Sequence, residues 1–114
     1  MEGQQKSLIG IPLDLKKEIA YADGSVVSKT LLSKEEGSLT LFAFDAGQGL
    51  SEHTSPFDAV VYILDGTAEI TIGGKKKSVG EGQMLIMPAQ VPHALHGPDR
   101  FMMLLIMIRG PLKG

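Results

Sequence analysis

Short stretches of alternating or continuous apolar residues, divided by turn residues, run along most of this chain. Thr67–Ile72 alternates, with Ala68 and Ile70 on one face, which is the two-residue period of a strand with one buried side. Val60–Leu64 is apolar throughout, as in a strand covered on both faces. The same criteria predict strands at Val26–Leu32, Ser38–Asp45, Lys75–Val79, Gln83–Met87, from His93 onward and at Phe101–Ile108. We therefore expect about eight to ten antiparallel strands in an all-β sandwich or barrel.

The connecting segments predict turns and little helix. Gly73–Gly74 permits the positive φ angles of a type I′ hairpin turn, and Asp65–Gly66 is a second turn signal. Leu8–Ile11 is predicted as a short edge strand, and Leu13–Tyr21 fits one or two helical turns. Ala46–Gly49 is predicted as loop. No helix longer than about three turns is expected.

Composition narrows the classes of function. The 114 residues fit one domain, and a net charge of −2 with a pI near 5.9 argues against nucleic acid as a partner. There is no cysteine, so disulfides and thiol catalysis are excluded. The longest apolar run, Phe101–Ile108, is too short to span a bilayer, and the N-terminus does not look like a signal peptide. These features predict a cytoplasmic protein with no membrane partner.

Two stretches share an order of glycine, histidine and proline beside apolar strands. In the first, Gly47 precedes His53 by six positions, and Gly66 closes the stretch. In the second, Gly82 is followed by Pro88 and then His93. With this order and spacing, the chain resembles the two signature motifs of the cupin superfamily. The resemblance covers about residues 37–108 and implies an antiparallel jelly-roll β-barrel.

The resemblance also implies a metal site, which this chain retains only in part. In metal-binding cupins, three histidines and a glutamate hold one ion inside the barrel. Here His53 and His93 remain, while Ser55 stands at the second histidine position and Ala59 at the glutamate position. Imidazole ligands suit Ni, Zn, Fe, Mn or Cu, so one divalent transition metal ion held by the two histidines is the cofactor prediction. In the second motif, Gln90 stands at the position of a glycine and Gly97 at that of an asparagine.

Three neighbouring side chains are candidates to complete the site. Asp58 adjoins Ala59, Glu52 adjoins His53, and His96 lies three residues after His93. Strand alternation sends Asp58 and His96 to the face opposite the cavity, unless a bulge near the preceding proline changes the register. The sequence leaves this choice open.

The small residues at the two vacant motif positions predict a ligand pocket. Ser55 and Ala59 leave volume beside His53 and His93, and a barrel of this size can enclose one small molecule. Five methionines on predicted strands are Met84, Met87, Met102, Met103 and Met107. Thioether side chains can help to bind Cu(I), but we favour the interpretation that these methionines fill the core. A cavity lined by methionines would suit an apolar or aromatic ligand.

Three functional hypotheses follow. The first is a module that binds a small apolar or aromatic molecule, and the second is a metal-dependent oxygenase, isomerase or hydrolase that uses His53 and His93. The third, ranked last, is metal-free acid/base catalysis by a neutral histidine, as in the sugar-epimerase cupins. The resemblance further implies a homodimer, with residues 1–36 as N-terminal strands at the dimer contact and residues 37–109 as the barrel core of the one domain.

Overall fold

The computed structural model describes residues 7–109 and consists mainly of antiparallel strands. A short 3₁₀ turn at Leu15–Lys17 precedes nine strands: β1 Val26–Lys34, β2 Gly37–Phe44, β3 Gly49–His53, β4 Asp58–Asp65, β5 Thr67–Ile72, β6 Lys75–Gly80, β7 Met84–Met87, β8 His93–His96 and β9 Phe101–Ile108. The predicted number of strands and the shortness of the helical segment are confirmed.

The strands form two sheets that pack face to face as a jelly roll. A five-stranded sheet has the order β1-β2-β9-β4-β7, and a four-stranded sheet has the order β3-β8-β5-β6. Residues from both sheets form the main core, among them Val61 and Ile63 from β4 and Ile70 from β5. The jelly-roll prediction is therefore confirmed.

Two local predictions are confirmed by the backbone. Gly73 and Gly74 have φ angles of 55° and 81° and join β5 to β6 with Ile72 opposite Lys75, as in a type I′ hairpin. Gly66 alone connects β4 to β5 with φ 76°. A Cβ at this position would run into the carbonyl oxygen of Arg100, so the turn requires glycine for both its conformation and its close approach.

Two other local predictions are wrong. Leu8–Ile11 forms no strand, because the chain turns at Gly10 (φ 83°) and the Ile11 N–H donates to the Leu8 carbonyl. Strand β3 begins at Gly49, which the sequence assigned to a loop, and continues to His53 over residues for which the sequence predicted no strand. Its residues are mostly exposed, so no apolar pattern marks it; pairing with β8 makes it a strand.

The segment before β1 packs on the outer face of the five-stranded sheet. Ile19 belongs to a second apolar cluster with residues of β2 and β9. The Tyr21 hydroxyl donates a hydrogen bond of 2.7 Å to Asp65. Burial is the larger cause that raises the pKa of Tyr21, and this hydrogen bond raises it further. Arg100 donates to Asp23 of this segment over 3.0 Å and to Asp45, which follows β2, over 2.7 Å. The bond to Asp45 is the largest of several causes that lower the pKa of that carboxyl group to about 2. The segment is thus fixed to the barrel by packing and by polar contacts.

Candidate ligand pocket

The pairing of β3 with β8 places the two predicted histidines side by side. His53 and His93 are directly opposite each other in the register of these strands. Their ring centroids are 4.4 Å apart, and the ring planes meet at 71°, an edge-to-face arrangement. The two residues, forty positions apart in sequence, therefore form one pair at the same end of the four-stranded sheet.

Each imidazole is oriented by the main chain two residues earlier. Nδ1 of His53 lies 2.8 Å from the Ser51 carbonyl oxygen, and Nδ1 of His93 lies 3.2 Å from the Val91 carbonyl oxygen. Because a carbonyl only accepts, Nδ1 carries the proton and donates in both rings. In a neutral ring this leaves Nε2 as an acceptor, and no hydrogen-bond partner for either Nε2 occurs within residues 7–109. The pair therefore offers two free acceptor nitrogens.

The two histidines differ in exposure. His53 is exposed, whereas His93 is 3% exposed and is the one buried polar residue in the described part of the chain. Burial lowers the pKa of His93; the hydrogen bond to Val91 opposes this effect, and the neighbouring His53 adds to it. The His93 ring is consequently neutral at neutral pH, the form that accepts a hydrogen bond or ligates a metal.

Ala59 lies in the opposite sheet between two methionines. It is directly opposite Met87 on β7 and Met107 on β9, so the three residues form one row across the sheet. Ala59 is 2% exposed and faces inward. Its methyl group leaves space between the two longer thioether side chains.

A cavity of about 190 Å³ lies between the sheets at this level. Its lining comprises Leu50, His53, Ser55, Ala59, Met87, His93, Leu95, Met103, Leu105 and Met107. The structure thus brings together all four residues that the sequence assigned to a pocket. The remaining six are apolar; strand alternation marks them as inward-facing, but only the register between strands places them around this cavity.

Ser55 contributes one polar group to the wall. Its Oγ accepts a hydrogen bond of 3.1 Å from the Phe57 N–H, which fixes the hydroxyl oxygen in a local turn. The hydroxyl proton remains available as a donor. Among the residues that line the cavity, none is an aspartate, glutamate, lysine or arginine.

The three further candidates from the sequence lie away from the cavity. Asp58 is exposed and accepts a hydrogen bond of 2.9 Å from the Ala89 N–H, so it caps a turn. Glu52 is exposed on β3. His96 is exposed on β8, with Nδ1 3.9 Å from Glu69, on the side of the sheet opposite His93. None of the three belongs to the lining.

The loop between β7 and β8 contains one residue with a strained backbone conformation. Gln90 has φ 68° and is the one non-glycine residue in the left-handed region between positions 7 and 109. That conformation costs roughly 1–2 kcal/mol for a residue with a Cβ. The Gln90 N–H donates to the Ser55 carbonyl over 2.7 Å, which ties this loop to the loop before β4.

The residues that line the cavity supply too few donors to hold a resident metal ion tightly. The described chain contains no group of three or more histidine, cysteine, aspartate or glutamate side chains that would hold one. The cavity supplies two imidazoles, whereas catalytic sites for such ions in proteins generally use three protein ligands. Ser55 adds only a neutral hydroxyl, and Ala59 adds no donor.

Comparisons with known proteins agree with this architecture. The family model of the cupin domain matches residues 40–108. An uncharacterized protein from Streptomyces coelicolor is 30% identical over 98 residues, 86% of this chain and 91% of that protein. A protein of unknown function from Streptococcus pyogenes has 40% identity and a TM-score of 0.84, over 90% of each chain. A cupin superfamily protein from Desulfitobacterium hafniense has 31% identity and a TM-score of 0.85, over 95% of this chain and 100% of that one.

The chain belongs to the cupin family. The family resemblance found in the sequence is confirmed, and with it the jelly-roll architecture. Across residues 7–109, no helix has the length and apolar character needed to cross a membrane.

Proposed function

We propose that this cupin binds one small apolar or aromatic molecule in the cavity between its sheets. The observation that supports this function best is the cavity itself, about 190 Å³ with mainly apolar walls and two imidazoles on one side. Ligand sites are typically concave and apolar, with a few polar groups that fix orientation. A cavity of about 150 Å³ with apolar walls is enough to bind benzene.

The methionines provide a direct test of this proposal. In protein labelled with ¹³C at the methionine methyl groups, added toluene is expected to shift the signals of Met87, Met103 and Met107, which line the cavity. The signals of Met84, which is 60% exposed, and Met102, which packs in the second apolar cluster, should not move.

A variant that fills the cavity gives the matched control. Ala59→Leu adds three carbon atoms where the wall leaves space, so toluene should no longer shift the three signals. Ala46→Leu makes the same change in an exposed loop and should leave toluene binding intact. Equal shifts in both variants, or shifts of all methionines alike in the parent protein, would contradict binding in this cavity.

Metal binding is the second candidate function, and one observation favours it. The two imidazoles are neighbours, each oriented through Nδ1 by a carbonyl, as is common for histidines that ligate metals. With two protein donors, we expect added Ni²⁺, Zn²⁺ or Cu²⁺ to bind weakly and with little choice of ion.

We also propose that two copies associate through the edge strand β1. This strand pairs only with β2, so the N–H and C=O groups of its outer edge have no strand partner within the described sheet. An apolar hollow of about 310 Å³ lies beside it, lined by Leu8, Ile9, Leu13, Leu15, Leu31, Leu32, Leu39 and Leu104. Ile9, in the wall of this hollow, is 72% exposed, and Ile11, two residues further along the chain, is 53% exposed. A second copy of the chain would cover these apolar side chains and also form backbone hydrogen bonds with the outer edge of β1.

Light scattering tests the assembly. The parent chain is expected to scatter as a dimer at micromolar concentration, and Ile9→Lys with Ile11→Lys should convert it to a monomer, because two lysines cannot be buried without partners. Met84→Lys, on the other edge of the same sheet, is the control and should remain a dimer. A monomeric parent chain would rule the proposal out.

A further inference from the structure

The size and walls of the cavity favour a single ring. The volume of about 190 Å³ slightly exceeds the roughly 150 Å³ that holds benzene, so one ring with one small substituent fits and a fused-ring system does not. Three of the wall residues are Met87, Met103 and Met107. A thioether sulfur makes favourable contacts with an aromatic ring, which favours an aromatic ring over an aliphatic one of the same size.

The polar groups of the wall restrict the substituent. The histidine pair presents two Nε2 atoms that accept, and Ser55 presents a hydroxyl that donates. A substituent that donates one hydrogen bond and accepts another satisfies both kinds of group. A hydroxyl does this with a single oxygen atom.

The absence of charge in the lining restricts the ligand further. No aspartate, glutamate, lysine or arginine lines the cavity, so an ionised substituent would be buried without a counter-charge. A carboxylate would also face two imidazole lone pairs. A phenol, whose hydroxyl resembles that of tyrosine with a pKa near 10, is neutral at pH 7.

From these contacts we infer that the ligand is a neutral single-ring phenol whose hydroxyl donates to Nε2 of His93, with the ring against the methionines. This inference rests on the proposed function and names its ligand class. His93 is the acceptor because it is buried, so its Nε2 competes less with bulk water than that of the exposed His53. His93 acts here as a binding residue, with no chemical step implied.

Phenol and toluene, which have nearly the same shape, test the inference by calorimetric titration. In His93→Leu the acceptor is lost and the hydroxyl of bound phenol is left without a hydrogen-bond partner. Toluene has no hydroxyl, so its binding loses no hydrogen bond. The ratio of phenol affinity to toluene affinity is therefore expected to fall at least about tenfold. His96→Leu makes the same substitution on the outer face of β8 and should leave the ratio unchanged.

A measurement on the parent protein keeps the test decisive even if His93→Leu does not fold. With ¹⁵N-labelled histidine, the Nε2 signal of His93 should shift when phenol is added and should not shift with toluene. If toluene and phenol both bind but neither the ratio nor the Nε2 signal responds, the phenol inference is wrong and the proposed function stands. Tighter binding of benzoate than of phenol also overturns the inference. If neither toluene nor phenol binds, both the phenol inference and the proposed function are wrong.

Discussion

Ala59→Glu is expected to convert the cavity into a metal site and to make stability depend on the metal. The substitution places a carboxylate between Met87 and Met107, in the wall of the cavity that also contains His53 and His93. Three protein donors then surround one space, a set that Zn²⁺ and Ni²⁺ accept. We expect the affinity for Zn²⁺ or Ni²⁺ to rise at least about tenfold over the parent protein, which corresponds to about 1.4 kcal/mol.

Without metal, the same variant should be less stable than the parent. Position 59 is 2% exposed, so the new carboxyl group is buried without a charged partner, at a cost of roughly 1–3 kcal/mol. Zn²⁺ at about one hundred times its dissociation constant should raise the free energy of unfolding by about 2.7 kcal/mol, since it binds only the folded protein. Thermal melts with and without Zn²⁺ would show both effects.

The pH dependence of this metal binding has a defined sign. Ligation requires neutral imidazole, and burial lowers the pKa of His93 below the ordinary value of 6.5. The ring therefore remains a ligand at and above neutral pH, and affinity is expected to fall as the pH drops through the lowered pKa of His93. Titration calorimetry at several pH values measures this.

Two variants separate metal ligation from other effects of the substitution. Ala59→Gln has the same shape without the anionic oxygen and should gain no affinity for Zn²⁺. Ala59→Glu combined with His93→Ala should lose most of the gain, because one of three ligands is removed. Equal affinity of the Glu and Gln variants would mean that position 59 does not face the histidine pair.

Phe101→Ala is expected to lower the free energy of unfolding by about 3–5 kcal/mol. Phe101 is fully buried, lies opposite Phe44 in the register of β2 and β9, and stacks on it with ring centroids 4.3 Å apart. The ring also occupies the space beside Gly97, where any Cβ would overlap it. The loss is a large part of the roughly 5–15 kcal/mol that stabilises a typical domain.

Urea denaturation followed by circular dichroism measures this change, and the melting temperature should fall on the order of 15 °C. Phe57→Ala is the control: Phe57 is only partly buried and lies outside both apolar clusters, so its loss should cost much less. Similar losses in the two variants would show that the pair of Phe44 and Phe101 is not central to the core.

The local pattern of the chain was sufficient for most strands. The alternation of Thr67–Ile72 and the apolar run before Asp65 each correspond to an observed strand, because burial of one or both faces imposes that pattern directly. The local pattern did not predict the structure correctly where burial is not what determines it. β3 is mostly exposed and is held by hydrogen bonds to β8, while Leu8–Ile11 is apolar yet turns at Gly10.

The backbone at Gln90 is another feature that tertiary contacts determine rather than the local sequence. The sequence places glutamine where the family motif has glycine, the residue that adopts positive φ angles most readily. The structure shows Gln90 in the left-handed conformation, with φ 68°, and its N–H donates to the Ser55 carbonyl. The contact between the two loops holds a conformation that the residue itself disfavours.

By itself the sequence determined most of the strand pattern and, through its resemblance to the family motifs, the family and the four positions beside the expected cavity, because motif spacing and periodicity are local properties of the chain. Only the tertiary structure decided that His53 and His93 are cross-strand neighbours, that Met87 and Met107 flank Ala59, and that Asp58, Glu52 and His96 lie outside the lining. These facts depend on the register between strands that are far apart in sequence. A shift of one residue in any of these pairings would turn the same side chains to the opposite face.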